Sequence, residues 1–260
     1  MRRISGGLRW LLCIVAACDS PKSSPPPTAA EASSIPATPL EASPGPAAAS
    51  SVVPARKRKD PATCPKEGPI AFEDPILEST VRRQLQKPSG PIARAELRKV
   101  KTLDLSQQAH GDVLDPCVFA HLTGLKGLYL PPGDLDDLSP IKAAVNLESL
   151  RVAATKVSDL SPLSGLTKLD RLDVGRTPVR DLKALGALTN LTELELDDTE
   201  VEDLSPLARL EKLEVLLIKR TRVSDVSPLR GLRKLKQLYI EGSLVKDVSA
   251  LSGITGLKIH

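Results

Sequence analysis

Across residues 122–253 the apolar positions follow one pattern, written six times without slippage. The copies begin at Leu122, Ala144, Leu166, Leu188, Leu210 and Leu232, a period of 22, and a seventh starts at Ile254 and runs to His260. Counting from each first residue, the fourth place is Leu125, Leu147, Leu169, Leu191, Leu213 and Leu235. The seventh is Leu128, Leu150, Leu172, Leu194, Leu216 and Leu238; the ninth is Leu130, Val152, Val174, Leu196, Ile218 and Ile240; the fourteenth is Leu135, Val157, Val179, Val201, Val223 and Val245. A fixed period of this size marks a solenoid. One copy buries about seven apolar side chains at roughly 1.5–3 kcal/mol each, whereas ordering its backbone costs roughly 1–2 kcal/mol per residue. A lone copy therefore does not fold, and neighbours must seal one another's apolar faces into a continuous core.

With the seventh and ninth places inward and the eighth outward, places six to ten are predicted to form a short strand. One strand per copy, all running the same way, gives a parallel sheet with strands about 4.8 Å apart. The other side of each copy carries Asp-Leu-Ser-Pro-Leu, as at 159–163 and 203–207, which suits one tight helical turn. Lys183-Ala184 and Ser249-Ala250 stand where the other copies have Ser-Pro. Thr155, Thr177, Thr199, Thr221 and Ser243 share the twelfth place, where a hydroxyl can satisfy backbone groups freed at the strand end. Asp137, Asp159, Asp181, Asp203, Asp225 and Asp247 share the sixteenth. Six carboxylates in file suggest a cation ladder, but turn capping explains them more simply.

Ahead of the repeats, residues 62–96 read as a helical cap and 97–260 as the repeat domain. Asp74 suits a helix N-cap and Pro75 the first helical position; Leu77, Val81 and Leu85 then share one face, and Pro88-Ser89-Gly90 ends the helix. An irregular first unit of 25 residues starts at Leu97 and contains Cys117. Cys64 and Cys117 are expected to pair, pinning the cap to that unit, with two separate thiols as the alternative.

Residues 1–17 have a basic start, a short apolar run and small residues at the end, the form of an export signal. Residues 18–61 are rich in Pro, Ala and Ser, cannot bury enough surface to fold, and read as a disordered tether. The tether ends in Arg56-Lys57-Arg58-Lys59, read as a solvated charge run rather than a lipid-binding patch. The formal charge of +4 overstates the body: without Arg2, Arg3 and Arg9 of the leader, 33 basic residues face 32 acidic ones. That near-neutrality gives no electrostatic reason to expect nucleic acid or an anionic surface as partner.

Two resemblances follow. Val15-Ala16-Ala17-Cys18 resembles the bacterial lipobox, which implies lipid on Cys18 and a membrane-anchored protein in the bacterial cell envelope. Leu-x-x-Leu-x-x-Leu-x-Leu at a spacing of 22, with Asp-Leu-Ser-Pro-Leu and the lead-in Phe72-Glu73-Asp74-Pro75-Ile76-Leu77-Glu78, resembles the bacterial internalin-like leucine-rich repeat. That resemblance implies an α/β solenoid: a horseshoe with a concave parallel β-sheet, short 3-10 turns on the convex side, an N-terminal helical cap, and a role in binding proteins. The chain departs from the pattern in using Thr where many relatives have Asn, and in having no capping segment after its seventh copy.

The eighth places then line the concave face: Asp104, Tyr129, Arg151, Asp173, Glu195, Leu217 and Tyr239. Arg171, Glu193, Val215 and Gln237 flank them at the sixth place, and Asp197, Lys219 and Glu241 at the tenth. Exposed tyrosines make good contacts, and Val215 with Leu217 forms an outward apolar spot that a solvated sheet does not need. Tyr129, Arg151, Asp173, Glu195, Leu217 and Tyr239 are the candidate ligand-binding residues, for a protein or peptide partner. The sequence offers no phosphate loop, no zinc spacing and no nucleophile–base pairing around His110, His121 or His260. No cofactor, metal or catalytic residue is expected. Asp173 and Glu195 fall on adjacent strands as a retaining glycosidase pair would, but an exposed sheet is not expected to shift their pKa values as that chemistry requires. The second reading of the chain is a structural envelope protein that self-associates through its last coil.

Overall fold

The computed structural model describes residues 58–107 and 112–260. The expected leader, the lipid site at Cys18, nearly all of the tether and His110 lie outside the described residues. Eight strands form one open parallel sheet in chain order: β1 (Thr102–Asp104), β2 (Gly127–Tyr129), β3 (Ser149–Arg151), β4 (Arg171–Asp173), β5 (Glu193–Glu195), β6 (Val215–Leu217), β7 (Gln237–Tyr239) and β8 (Lys258–Ile259). From β2 to β7 the register is the sequence period itself, with Leu128, Leu150, Leu172, Leu194, Leu216 and Leu238 paired in turn.

The strands cover places six to eight, shorter than the sequence predicts. The ninth place still extends the ladder, as when the Leu196 N–H donates to the Leu217 carbonyl at 2.9 Å. The chain then bends away, because the eleventh place is left-handed: Ala154, Arg176, Asp198 and Arg220 have φ between 52° and 57°, and Gly242 has 72°. The inward leucines and valines make one core that runs from Leu77 in the cap to Ile254. That core lies wholly within residues 58–260. Toward residue 260, Ile240, Val245, Val248 and Leu257 are partly buried against this core.

The far side carries 3-10 turns at Ser139–Ala143, Ser161–Leu163, Lys183–Ala187, Ser205–Arg209, Ser227–Gly231 and Ser249–Leu251. Each sixteenth-place Asp accepts the backbone N–H two residues on, at 2.7–2.8 Å. Those N–H groups hold Asp159, Asp181, Asp225 and Asp247 below the usual carboxylate range. These aspartates are turn caps. The threonine column is equally structural: buried Thr155, Thr177, Thr199 and Thr221 each donate a hydroxyl to the carbonyl of their own ninth place at 2.6–2.8 Å.

The first layer is sealed by α1 (Pro75–Leu85), which buries Leu77 and Val81. Asp74 caps it, accepting from Ile76 N at 2.8 Å and Leu77 N at 3.1 Å. Two single-turn helices follow, α2 (Arg94–Leu97) and α3 (Pro116–Phe119). Cys64 is disulfide-bonded to Cys117 on α3. The described half of the basic run, Arg58 and Lys59, is solvent-facing and also ion-paired. Arg58 pairs with Asp136, and Lys59 lies 2.7 Å from Glu73 and 3.6 Å from Asp115, so the chain leading to Cys64 is strapped to the first coils by ion pairs.

Candidate functional site

Parallel register places the eighth-place residues side by side. Tyr129 pairs with Arg151, Arg151 with Asp173, Asp173 with Glu195, Glu195 with Leu217, and Leu217 with Tyr239. All six candidate residues share the outward face, and all are half-buried among their neighbours rather than projecting freely.

The face has three parts. At the cap end the Tyr129 ring lies over Gly127 of its own strand, because a side chain at that sixth place would come within 3.3 Å of the ring edge. Beyond it, α1 and β1 border a groove of about 470 Å³ lined by Ile76, Thr80, Arg83, Thr102 and Asp104. Sequence reasoning treated α1 only as a lid and missed this contribution; the half-exposed Ile76 on its outer side was the available signal.

The middle is acidic. The Arg151 guanidinium lies 3.0 Å from the Asp173 carboxylate, whose other oxygen accepts the Gly175 N–H at 3.0 Å. Asp197 is buried rather than open to a ligand: one oxygen accepts the Lys219 N–H at 2.8 Å, and the Lys219 ammonium is 3.5 Å from the other. Gly175 forms the floor between them, with the Asp173 and Glu195 carboxylates both within 4 Å of where its side chain would start. Glu195 has no hydrogen bond or ion pair among the described residues. Burial, and then the negative charges of Asp173 and Asp197, push its pKa up to about 7. Burial likewise raises Asp173 and Asp197. The expectation that this face leaves carboxylate pKa values unshifted is therefore wrong. Long neighbours on three adjacent strands shield the carboxylates from part of their water.

A folded-state pKa above the unfolded value of 4.5 means that folding takes up a proton on Glu195 between pH 4.5 and 7. Stability from this group is greatest below that window and lost as pH rises through it. Glu195→Gln is expected to unfold at higher urea than the parent at pH 8 and at nearly the same urea at pH 4.5. Equal midpoints at pH 8 would show Glu195 to be fully hydrated.

The far end is apolar and aromatic. Val215 and Leu217 face outward on β6, and Tyr239 follows on β7. The Tyr239 hydroxyl donates to the Gln237 side chain at 3.1 Å, and the Lys219 ammonium sits 5.3 Å from the ring centroid. His260 stacks on Tyr239, with ring centroids 4.5 Å apart and planes 15° from parallel. Sequence periodicity aligns His260 with the inward Leu238, but the seventh copy slips by one. Lys258 pairs with Gln237 and Ile259 with Leu238, so His260 continues the outward row. The Leu257 N–H still bonds the Ile254 carbonyl as Leu235 bonds Leu232, so the residue is lost between Leu257 and Lys258.

No family model matches this sequence, and no curated protein matches it. Solved structures do. The chain is similar to an internalin, inlF, of Listeria monocytogenes, with 29% identity and a TM-score of 0.65 over 72% of this chain and 55% of that one. It thus spans about half the length of that protein. It is also similar to internalin C2 of Listeria monocytogenes, with 26% identity and a TM-score of 0.60 over 73% of this chain and 93% of that one. A leucine-rich-repeat protein of Leptospira interrogans shares the fold at 17% identity and a TM-score of 0.52, over 65% of this chain and 51% of that one. The fold is a leucine-rich-repeat solenoid. Its architecture is internalin-like, and stacking leaves one long face of the sheet uncovered. Among the described residues of this leucine-rich-repeat stack, no group of three or more His, Cys, Asp or Glu is arranged to hold a metal, and no helix is long and apolar enough to cross a membrane.

Proposed function

We propose that this chain is a non-catalytic recognition module, anchored to a bacterial membrane through lipid on Cys18, that binds a protein or peptide across the outward face of its sheet. The observation that carries the reading is the pairing of Glu195 with Leu217. A half-buried carboxylate with no bonded partner sits beside an outward aliphatic pair, on a scaffold whose other polar columns are spent on turns and caps. Water reaches the carboxylate but gives the aliphatic pair nothing, whereas a protein surface can satisfy both. The carboxylates do not form a catalytic pair in this reading. Asp173 is held by Arg151 and the Gly175 N–H, so Glu195 has no free acid or base facing it.

The test is capture of partners from an envelope extract by residues 58–260. The triple variant Tyr129→Ala, Leu217→Ala, Tyr239→Ala should unfold cooperatively yet lose at least about tenfold in capture, since a few central residues carry most interface energy. Undiminished capture would refute the site. The self-associating envelope scaffold remains a second reading because Leu244 and Ile259 in the last coils are exposed apolar side chains. Mass that rises with concentration, with no partner captured, would favour it.

A further inference from the structure

The net charge of the repeats conceals a concentration of one sign. Places 21 and 22 of one copy and 2 and 3 of the next form the bend from the 3-10 turn to the strand. Two successive bends read Ser164-Gly165 with Thr167-Lys168, and Gly186-Ala187 with Thr189-Asn190, almost without charge. The next two read Ala208-Arg209 with Glu211-Lys212, and Arg230-Gly231 with Arg233-Lys234. Five basic side chains thus face one carboxylate on neighbouring coils, and all six are exposed.

Some cations elsewhere in the stack pair with a carboxylate one coil away: Lys126 with Glu148, Lys236 with Glu214 and Arg220 with Asp198, at 2.5–2.6 Å. At these two bends none does. Arg209, Arg230, Arg233 and Lys234 make no side-chain hydrogen bond or ion pair among the described residues, and Lys212 donates only to the neutral Asn190 side chain, at 2.6 Å. Lys212 and Lys234 occupy the same place in adjacent coils, about 5 Å apart in a stack of this kind. Like charges so placed destabilise a fold, and the two preceding bends, which carry Lys168 alone, show that the repeat does not require five of them.

We propose that this bend surface, made of Arg209, Lys212, Arg230, Arg233 and Lys234, docks on the phosphate headgroups of an anionic lipid bilayer. The three guanidiniums match phosphate geometry in pairs of hydrogen bonds. The cations lie on exposed bends at one flank of the stack, away from the outward row. That arrangement suits a broad charged surface and leaves the sheet face free for a partner. The choice of lipid over another polyanion rests on the anchor proposed at Cys18, which keeps the domain within a tether's reach of a bilayer. The near-neutral total, which argues against an anionic surface, does not bear on a local patch.

Residues 58–260, which hold the whole core and lack Cys18, provide the test by sedimentation with vesicles. Binding is expected to phosphatidylcholine vesicles containing phosphatidylglycerol, not to phosphatidylcholine alone, and it should weaken steeply with salt. The variant Arg209→Gln, Arg230→Gln, Arg233→Gln, Lys234→Gln should lose about fivefold per charge, at least about a hundredfold in all. A variant losing the same charge away from the bends, Lys66→Gln, Lys99→Gln, Arg176→Gln, Lys246→Gln, should keep most of the binding. Equal loss in both variants, no dependence on phosphatidylglycerol, or capture of a duplex oligonucleotide in preference to vesicles would overturn the proposal. The intact mass of native protein at Cys18 reports the anchor separately, so failure of one is not mistaken for failure of the other.

Discussion

Leu194→Ala is expected to lower the unfolding free energy by about 3–5 kcal/mol, read as a fall in the urea midpoint. Leu194 is completely buried in the central coil, paired on one side with Leu172 and on the other with Leu216. Truncation removes contacts at two inter-coil interfaces at once, and the neighbouring leucines, fixed by their own ladders, are poorly placed to fill the space. In a stack held by nearest-neighbour contacts, such a defect also weakens coupling between the coils on either side, so the transition should broaden. The next residue gives the contrast. Glu195→Ala should leave the midpoint unchanged or raise it at pH 8, because that side chain faces outward and its ionised form is disfavoured by burial and by Asp173 and Asp197. A similar loss at both positions would mean that the inward and outward faces have been exchanged.

Removing the Cys64–Cys117 bridge is the second large perturbation. The bond closes a loop between cysteines 53 positions apart that contains α1, α2 and β1. Releasing that constraint on the unfolded chain should cost about 2–4 kcal/mol. For a domain of this size the thermal midpoint should fall by roughly 5–15 °C. Cys64→Ala, Cys117→Ala, or reduction of the parent, tests this by calorimetry. The loss should concentrate in the cap, where faster hydrogen exchange in α1 is expected while β4 to β6 stay protected. Arg58 and Lys59 strap the same segment by ion pairs, and the Arg94 guanidinium donates to the carbonyls of residues 65–68, but exposed contacts of this kind do not replace a covalent link.

The sequence made legible whatever the period of 22 controls. The inward columns, the parallel register, the Thr and Asp columns and the outward row all follow from counting, because stacking copies the same environment to the same place each time. The disulfide was legible from cysteine number and position. What counting could not show depends on contacts between unlike places. The last copy tightens by one residue after Leu257, which no period reports, and this brings His260 onto Tyr239. Arg58 and Lys59 find Asp136, Glu73 and Asp115 through space. The raised pKa of Glu195 comes from three strands crowding one carboxylate, and the burial of Asp197 from a backbone N–H on the next coil. Counting along the outward row shows its acidic middle, whereas net charge, being a sum, hid the basic bends at its flank.

The outward face has as its most direct test a map of where a partner touches. A photo-crosslinking amino acid in place of Leu217, on the sheet face, and separately in place of Ser164, on the turn side, should be irradiated in an envelope extract. An adduct from position 217, absent at 164, is the result expected of a stack that recognises its partner across the strands. An adduct at 164 with none at 217 would place recognition on the turns and contradict it.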